Sequence, residues 1–99
     1  MLEKLKAEIE RVTRHLQVIR AVAEHQPIGI MKLSDVLDLP YHRVRYSLRI
    51  LEQEGYIRAS PAGAVATARA DELIRALDGQ VDELIELLQT LKRENSRNL

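Results

Sequence analysis

KLSDVLDLPYHRVRYSLRILEQEGYI, residues Lys32 to Ile57, is the stretch on which the reading of this 99-residue chain turns. Leu33 and Leu37 lie one helical turn apart and predict a short helix over about Met31–Leu37. Asp38-Leu39-Pro40 then breaks the pattern. Asp tolerates a left-handed backbone in a tight turn, and Pro, lacking an N–H and with φ already set, suits the start of the next helix. That second helix is expected over Tyr41–Glu54, with Gly55 closing it as a C-terminal cap. At 100° per residue Val44, Leu48 and Leu51 fall within about 60° of one another and must face a core. Opposite them lie His42, Tyr46, Arg49 and Gln53, with Arg43 and Arg45 on the flanks. Pro40–Leu51 holds three arginines and no acid, and Arg49 meets none at its neighbours Arg45, Tyr46 and Gln53. Tyr41 is expected to pack at the start of this helix.

Beyond Gly55, Tyr56–Ala59 and Ala64–Ala66 read as two short strands around Ser60-Pro61-Ala62-Gly63, which has the composition of a hairpin turn. Tyr56 is expected to pack beneath the hairpin. Thr67 is placed to cap a last helix running to about Arg93, with residues 94–99 frayed. On the other side, Leu2 to His25 holds neither Gly nor Pro, and Leu2, Leu5, Ile9, Val12, Leu16, Ile19 and Ala23 recur at alternating spacings of three and four. This predicts a long helix carrying a heptad stripe. Gln26-Pro27-Ile28-Gly29 ends it. The last helix carries a second stripe, Ile74, Leu77, Val81, Leu84, Leu88 and Leu91, with Gly79 on its outer face.

Composition narrows the function. Zero cysteines exclude disulfides and thiolate metal sites, and His15, His25 and His42 lack ligand spacing, so no metal and no cofactor is expected. There is no phosphate-cradling glycine loop and no nucleophile set beside a His and an acid, so no enzyme is expected. No apolar run approaches a membrane span and the charged N-terminus lacks a signal-peptide core, which predicts a cytoplasmic protein with no membrane partner. Net charge is zero, but residues 26–69 carry six basic groups against four acidic, while residues 70–94 carry three against seven.

In order and spacing, Leu33, Leu37, Pro40, Val44, Leu48, Leu51, Glu52, Gly55, Tyr56 and Ile57 resemble the winged helix-turn-helix transcriptional regulators, of the MarR, PadR and ArsR kind and the small archaeal and bacterial type. The resemblance spans about Leu16–Thr67. It implies a mainly α fold with a small β-hairpin wing: a core over residues 16–67, an N-terminal helical extension over 1–15 and a C-terminal dimerisation helix over 68–94. It also implies binding of double-stranded DNA, with the helix at 41–54 in the major groove. Arg can bond two guanine acceptors at once or neutralise phosphates, so the expected contacts are His42, Arg43, Arg45, Tyr46, Arg49 and Gln53, joined by Lys32 and Arg58 toward phosphates. Arg69 flanks the hairpin as a further phosphate candidate. The wing tip, Ser60-Pro61-Ala62-Gly63, lacks the basic residue that many such regulators place there.

Leu2, Leu5, Ile9 and Val12 extend past the expected core and lack cover in a monomer. A homodimer joined by these residues and by Ile74, Leu77, Val81, Leu84, Leu88 and Leu91 supplies it, and presents two DNA-binding helices to a two-fold site. Two readings stay open at this point: a homodimeric DNA-binding regulator, and a winged-helix module that joins a larger protein complex. No effector pocket is apparent in the sequence, and the three histidines read as surface residues.

Overall fold

The computed structural model describes residues 1–97. Its order is α1 (Leu2–His25), α2 (Ile30–Leu37), α3 (Tyr41–Gln53), β1 (Ile57–Ser60), β2 (Gly63–Ala66) and α4 (Ala68–Arg97). It is mainly helical, with one small antiparallel hairpin pairing Ile57 with Ala66 and Ser60 with Gly63. The core sits where the second half of α1 crosses α2 and α3. Val18, Ile19 and Val22 of α1 meet Leu33, Val44, Leu51 and Ile57, all essentially excluded from solvent, and Leu37, Leu48 and Tyr56 pack around them. No helix among the described residues is long and apolar enough to cross a membrane.

The connections are made by side chains as much as by turn type. Asp38 ends α2 with φ 52° and ψ 46°, the left-handed conformation. Ser34 then holds Leu39 from both sides: its carbonyl accepts the Leu39 N–H and its hydroxyl donates to the Leu39 carbonyl. At the end of α3 the Tyr56 N–H reaches the Leu51 carbonyl and the Gly55 N–H reaches that of Glu52, with Gly55 at φ 84°. This is the Schellman arrangement, and glycine supplies its left-handed residue at no steric cost.

Four features differ from the sequence reading. The segment Gln26–Gly29, after a cis Gln26–Pro27 bond, does more than stop a helix. Ile28 exchanges both backbone hydrogen bonds with Ala64, at 3.2 and 2.8 Å, and the Gln26 Oε1 accepts the Ala66 N–H at 2.7 Å. It therefore forms a partial third strand. Glycine suits position 63 despite its poor strand propensity, because the Ile28 backbone leaves no room for a Cβ there.

Thr67, expected as a side-chain cap, uses its carbonyl to accept the Ala70 and Asp71 N–H groups, while its hydroxyl donates to the Gly55 carbonyl 2.6 Å away. The last helix continues to Arg97 instead of fraying from 94, with Arg97 paired to Glu94 at 3.2 Å; residues 98–99 of the expected frayed end lie outside the described residues. Tyr41 is exposed at the start of α3 instead of packed.

The two apolar stripes divide within the chain. Ile74, with Leu73, packs against the lobe's own core, and Leu77 is half-buried. Both were expected in a dimer seam; their intrachain contacts account for their cover. Leu2, Leu5, Ile9, Val12, Val81, Leu84, Leu88 and Leu91 are exposed. The bare halves of α1 and α4 project from the lobe and stretch the molecule to 59 × 26 × 21 Å.

Two glycines give opposite expectations. Gly63 sits at φ +134°, and a Cβ there would lie 2.6 Å from the Ile28 carbonyl carbon. Gly63→Ala should destabilise by roughly 3 kcal/mol, since neither backbone can yield cheaply. Gly79 is helical with nothing within 4 Å of an added Cβ. Gly79→Ala should stabilise by about 1 kcal/mol. Urea unfolding of both variants checks the pair, and equal effects would contradict the packing described here.

Candidate nucleic-acid interface

α3 sorts its side chains by direction. Val44, Ser47 and Leu51 are buried, with Leu48 and Ile50 at the margins, while His42, Arg43, Arg45, Tyr46, Arg49 and Gln53 are exposed. Arg45, Arg49 and Gln53 recur every fourth residue and so form one row. Together with Ile30, Leu48 and Glu52 they line an open depression of about 530 Å³. Helical geometry puts Arg43 on the other flank of α3, beside Tyr46 and away from this depression. His42 lies in the first turn, Lys32 is exposed in the first turn of α2, and Arg58 is exposed on β1 opposite Val65. Lys32 and Arg58 are not among the residues that line the depression.

Among the described residues none of Lys32, Arg43, Arg45, Arg49 or Arg58 takes part in an ion pair. Five cationic groups are thus available to an outside anion. The acid-free surroundings expected for Arg49 need correction, however. Glu52 lies three residues on, which is a neighbouring helical position, and it lines the same depression. The face is cationic with one carboxylate at its edge.

Two polar residues behind this face have contacts that the sequence does not reveal. Ser47 is completely buried, and its Oγ lies 2.8 Å from the Nδ1 of His15, hydrogen-bonding α3 to α1. The signal available was that Ser47 falls in register with Val44 and Leu51. His15, expected on the surface, is half-buried. Tyr46, expected to point outward, leans its ring toward His15, with centroids 6.0 Å apart. Arg69, although exposed, stacks 4.9 Å over the Tyr56 ring, which gives this phosphate candidate a contact within the chain.

A cavity of about 260 Å³ also lies between α1, the end of α3 and α4, lined mainly by apolar groups such as Leu16, Ile19 and Leu77, with His15, Glu54 and Gln80 as polar groups. The apolar stripes conceal it in the sequence, where each residue reads only as helix packing. No group of three or more His, Cys, Asp or Glu among the described residues is placed to hold a metal ion.

No protein-family model and no curated protein matches the chain. Among solved structures its fold is similar to that of the activation domain of the phage T4 transcription factor MotA, with a TM-score of 0.56 at 23% identity, over 72% of this chain and 78% of that one. At this identity the likeness establishes the fold.

Burial at the α1–α3 contact holds His15 below the ordinary histidine pKa, aided by the Arg14 charge and opposed by Glu54. A depressed value means that the folded state favours the neutral ring. The stability so gained is complete above the unfolded value of about 6.5 and declines as pH falls through the folded one. Melting temperature should therefore drop between about pH 7.5 and 5 in the native protein, and drop less in His15→Gln. Identical slopes would show that His15 contributes nothing to the acid sensitivity.

Proposed function

We propose that this chain is a winged helix-turn-helix regulator of transcription that binds double-stranded DNA as a homodimer, with α3 as the recognition helix and the β1–β2 hairpin as the wing. The observation that carries the reading is the outer row of α3. Among the described residues Arg45 and Arg49 make no ion pair, and with Gln53 they stand exposed on a helix whose other side is fixed by Val44, Ser47 and Leu51. A rigid helix that offers guanidinium groups at its outer surface suits a major groove, where Arg takes both acceptors of a guanine edge. His42 in the first turn and Gln53 at the far end extend the row along the groove. Arg43, Lys32 and Arg58 lie off it and suit phosphates, which position a protein without reading sequence. The uncharged wing tip limits the hairpin to backbone contacts. The short α2, whose exit turn is held by the Ser34–Leu39 bonds, supplies the helix that crosses the backbone in this mode of docking.

Transcription enters through the fold relative, which is named as a transcription factor's activation domain. That name also favours the second reading, in which this surface joins a protein complex. The MarR, PadR and ArsR resemblance stands on the α2–α3–hairpin order. In this reading the chain is a binding protein without catalytic chemistry, and its homodimer forms through the bare halves of α1 and α4.

Replacing Arg49 with Ala should leave folding near native, since an exposed arginine contributes little to stability. If Arg49 reads a guanine, affinity for the specific site should fall by about 1–3 kcal/mol and preference should relax at one position per half-site. If it holds a phosphate, binding should weaken on all sequences with a shallower salt dependence. Salt titrations on specific and random duplexes distinguish these outcomes, and unchanged affinity on both would transfer the assignment to a protein-binding module. Light scattering should give twice the chain mass, and Leu84→Asp should dissociate or unfold the protein. A Leu84→Asp variant that stayed dimeric would place the interface elsewhere.

A further inference from the structure

The distal halves of α1 and α4 lie side by side without closing on each other. Leu5 and Ile9 of α1 and Leu84, Leu87, Leu88 and Leu91 of α4 line a groove of about 470 Å³ whose walls are almost wholly apolar. On the opposite side Lys6, Glu10 and Lys92 rim a second depression of about 430 Å³ over Leu5 and Leu88. Leu87 is 63% exposed and Leu2 61%, so apolar groups of both helices here lack cover within the chain.

We propose that a second copy of this chain packs on the Lys92 side of this surface, over the second depression, in an antiparallel arrangement, the tip of each α4 lying against the root of the other about a two-fold axis at Ile85. The proposal rests on the homodimer reading above and specifies its geometry.

Charge is the first argument. The tip, residues 1–7 and 90–97, carries Lys4, Lys6, Lys92, Arg93 and Arg97 against Glu3 and Glu94, a net +3. The root, residues 8–14 and 78–89, carries Glu8, Glu10, Asp78, Asp82, Glu83 and Glu86 against Arg11 and Arg14, a net −4. Pairs within the chain account for Glu3, Glu94, Arg97, Glu8 and Arg11. What remains is basic at the tip and acidic at the root. A parallel dimer would set tip on tip and root on root, like charge against like. The antiparallel one sets opposite charges together, and a surface complementary to its own reverse is the requirement for a two-fold interface.

Register is the second argument. Beside the apolar stripe of α4, Asp78, Ile85 and Lys92 recur every seventh residue along one flank, and all three are exposed. Reversed about Ile85, this row places Ile85 on its counterpart and each Lys92 on the partner's Asp78. Flanking positions of this kind set helix orientation in coiled coils. Ile85, 45% exposed, is a large apolar side chain absent from the walls of both depressions. The two-fold contact gives it a partner.

The absence of native cysteine makes single thiols clean probes. A spin label at Ser96→Cys should give one interlabel distance near 33 Å, which is 22 residues at 1.5 Å each. A distance below about 15 Å would establish the parallel dimer and overturn the proposal. Monomer mass by light scattering with no dipolar coupling would remove the homodimer reading itself and leave the surface to a different protein. Asp78→Cys and Lys92→Cys proteins, mixed and mildly oxidised, should form the mixed disulfide in preference to either self-linked product. Self-linking alone, or no link in a confirmed antiparallel dimer, would reject the Ile85 register. Lys92→Glu should weaken dimerisation about tenfold at low salt, and adding Asp78→Lys in the same chain should restore it. In a parallel dimer the second change brings like charges together and restores nothing.

Discussion

Everything in the lobe depends on one column of side chains, Val18, Ile19 and Val22, presented by the second half of α1. All three are buried in the one core that α1 shares with α2, α3 and β1. Leu33 of α2 and Val44 and Leu51 of α3 meet there, which sets the angle at which α3 turns its polar side outward. At roughly 1.5–3 kcal/mol for each fully buried aliphatic side chain, these few residues contribute an amount comparable to the ~5–15 kcal/mol net stability of a small domain. Among the described residues Arg43, Arg45 and Arg49 of α3 make no ion pair that this packing would need.

The punctuation of the fold is local, and local signals were readable. Asp38 and Pro40 marked the turn between α2 and α3, and Gly55 marked the end of α3, because each satisfies a backbone requirement that few other residues meet. The strands emerged within a residue of expectation since their turn is equally local. What escaped depends on residues distant along the chain. The pairing of Ile28 with Ala64 and the bond from His15 to Ser47 join positions more than thirty residues apart, and neither partner announces the other.

Side-chain direction was the other obscure quantity. Ile74 and Leu77 share a heptad stripe with Leu84 and Leu91, yet a stripe shows only that a face is apolar, not which neighbour covers it. The lobe takes the first two and leaves the others bare. The outer row of α3 was legible from angular spacing alone, with Glu52 at its edge. Tyr46 lay on the expected side, but a nearby imidazole drew its ring toward α1.

The Thr67 hydroxyl on the Gly55 carbonyl, 2.6 Å away, fastens the start of α4 to the end of α3 across the base of the hairpin. With Leu73 and Ile74 also packed on the core, the 20 residues of α4 beyond Leu77 form a lever some 30 Å long with its fulcrum at the edge of the lobe. A tilt of about 5° at the fulcrum displaces the far end by about 3 Å, close to the rise of two helical residues. Whatever grips the free end of α4 thus gains mechanical leverage on the orientation of α3, while the fulcrum itself barely moves.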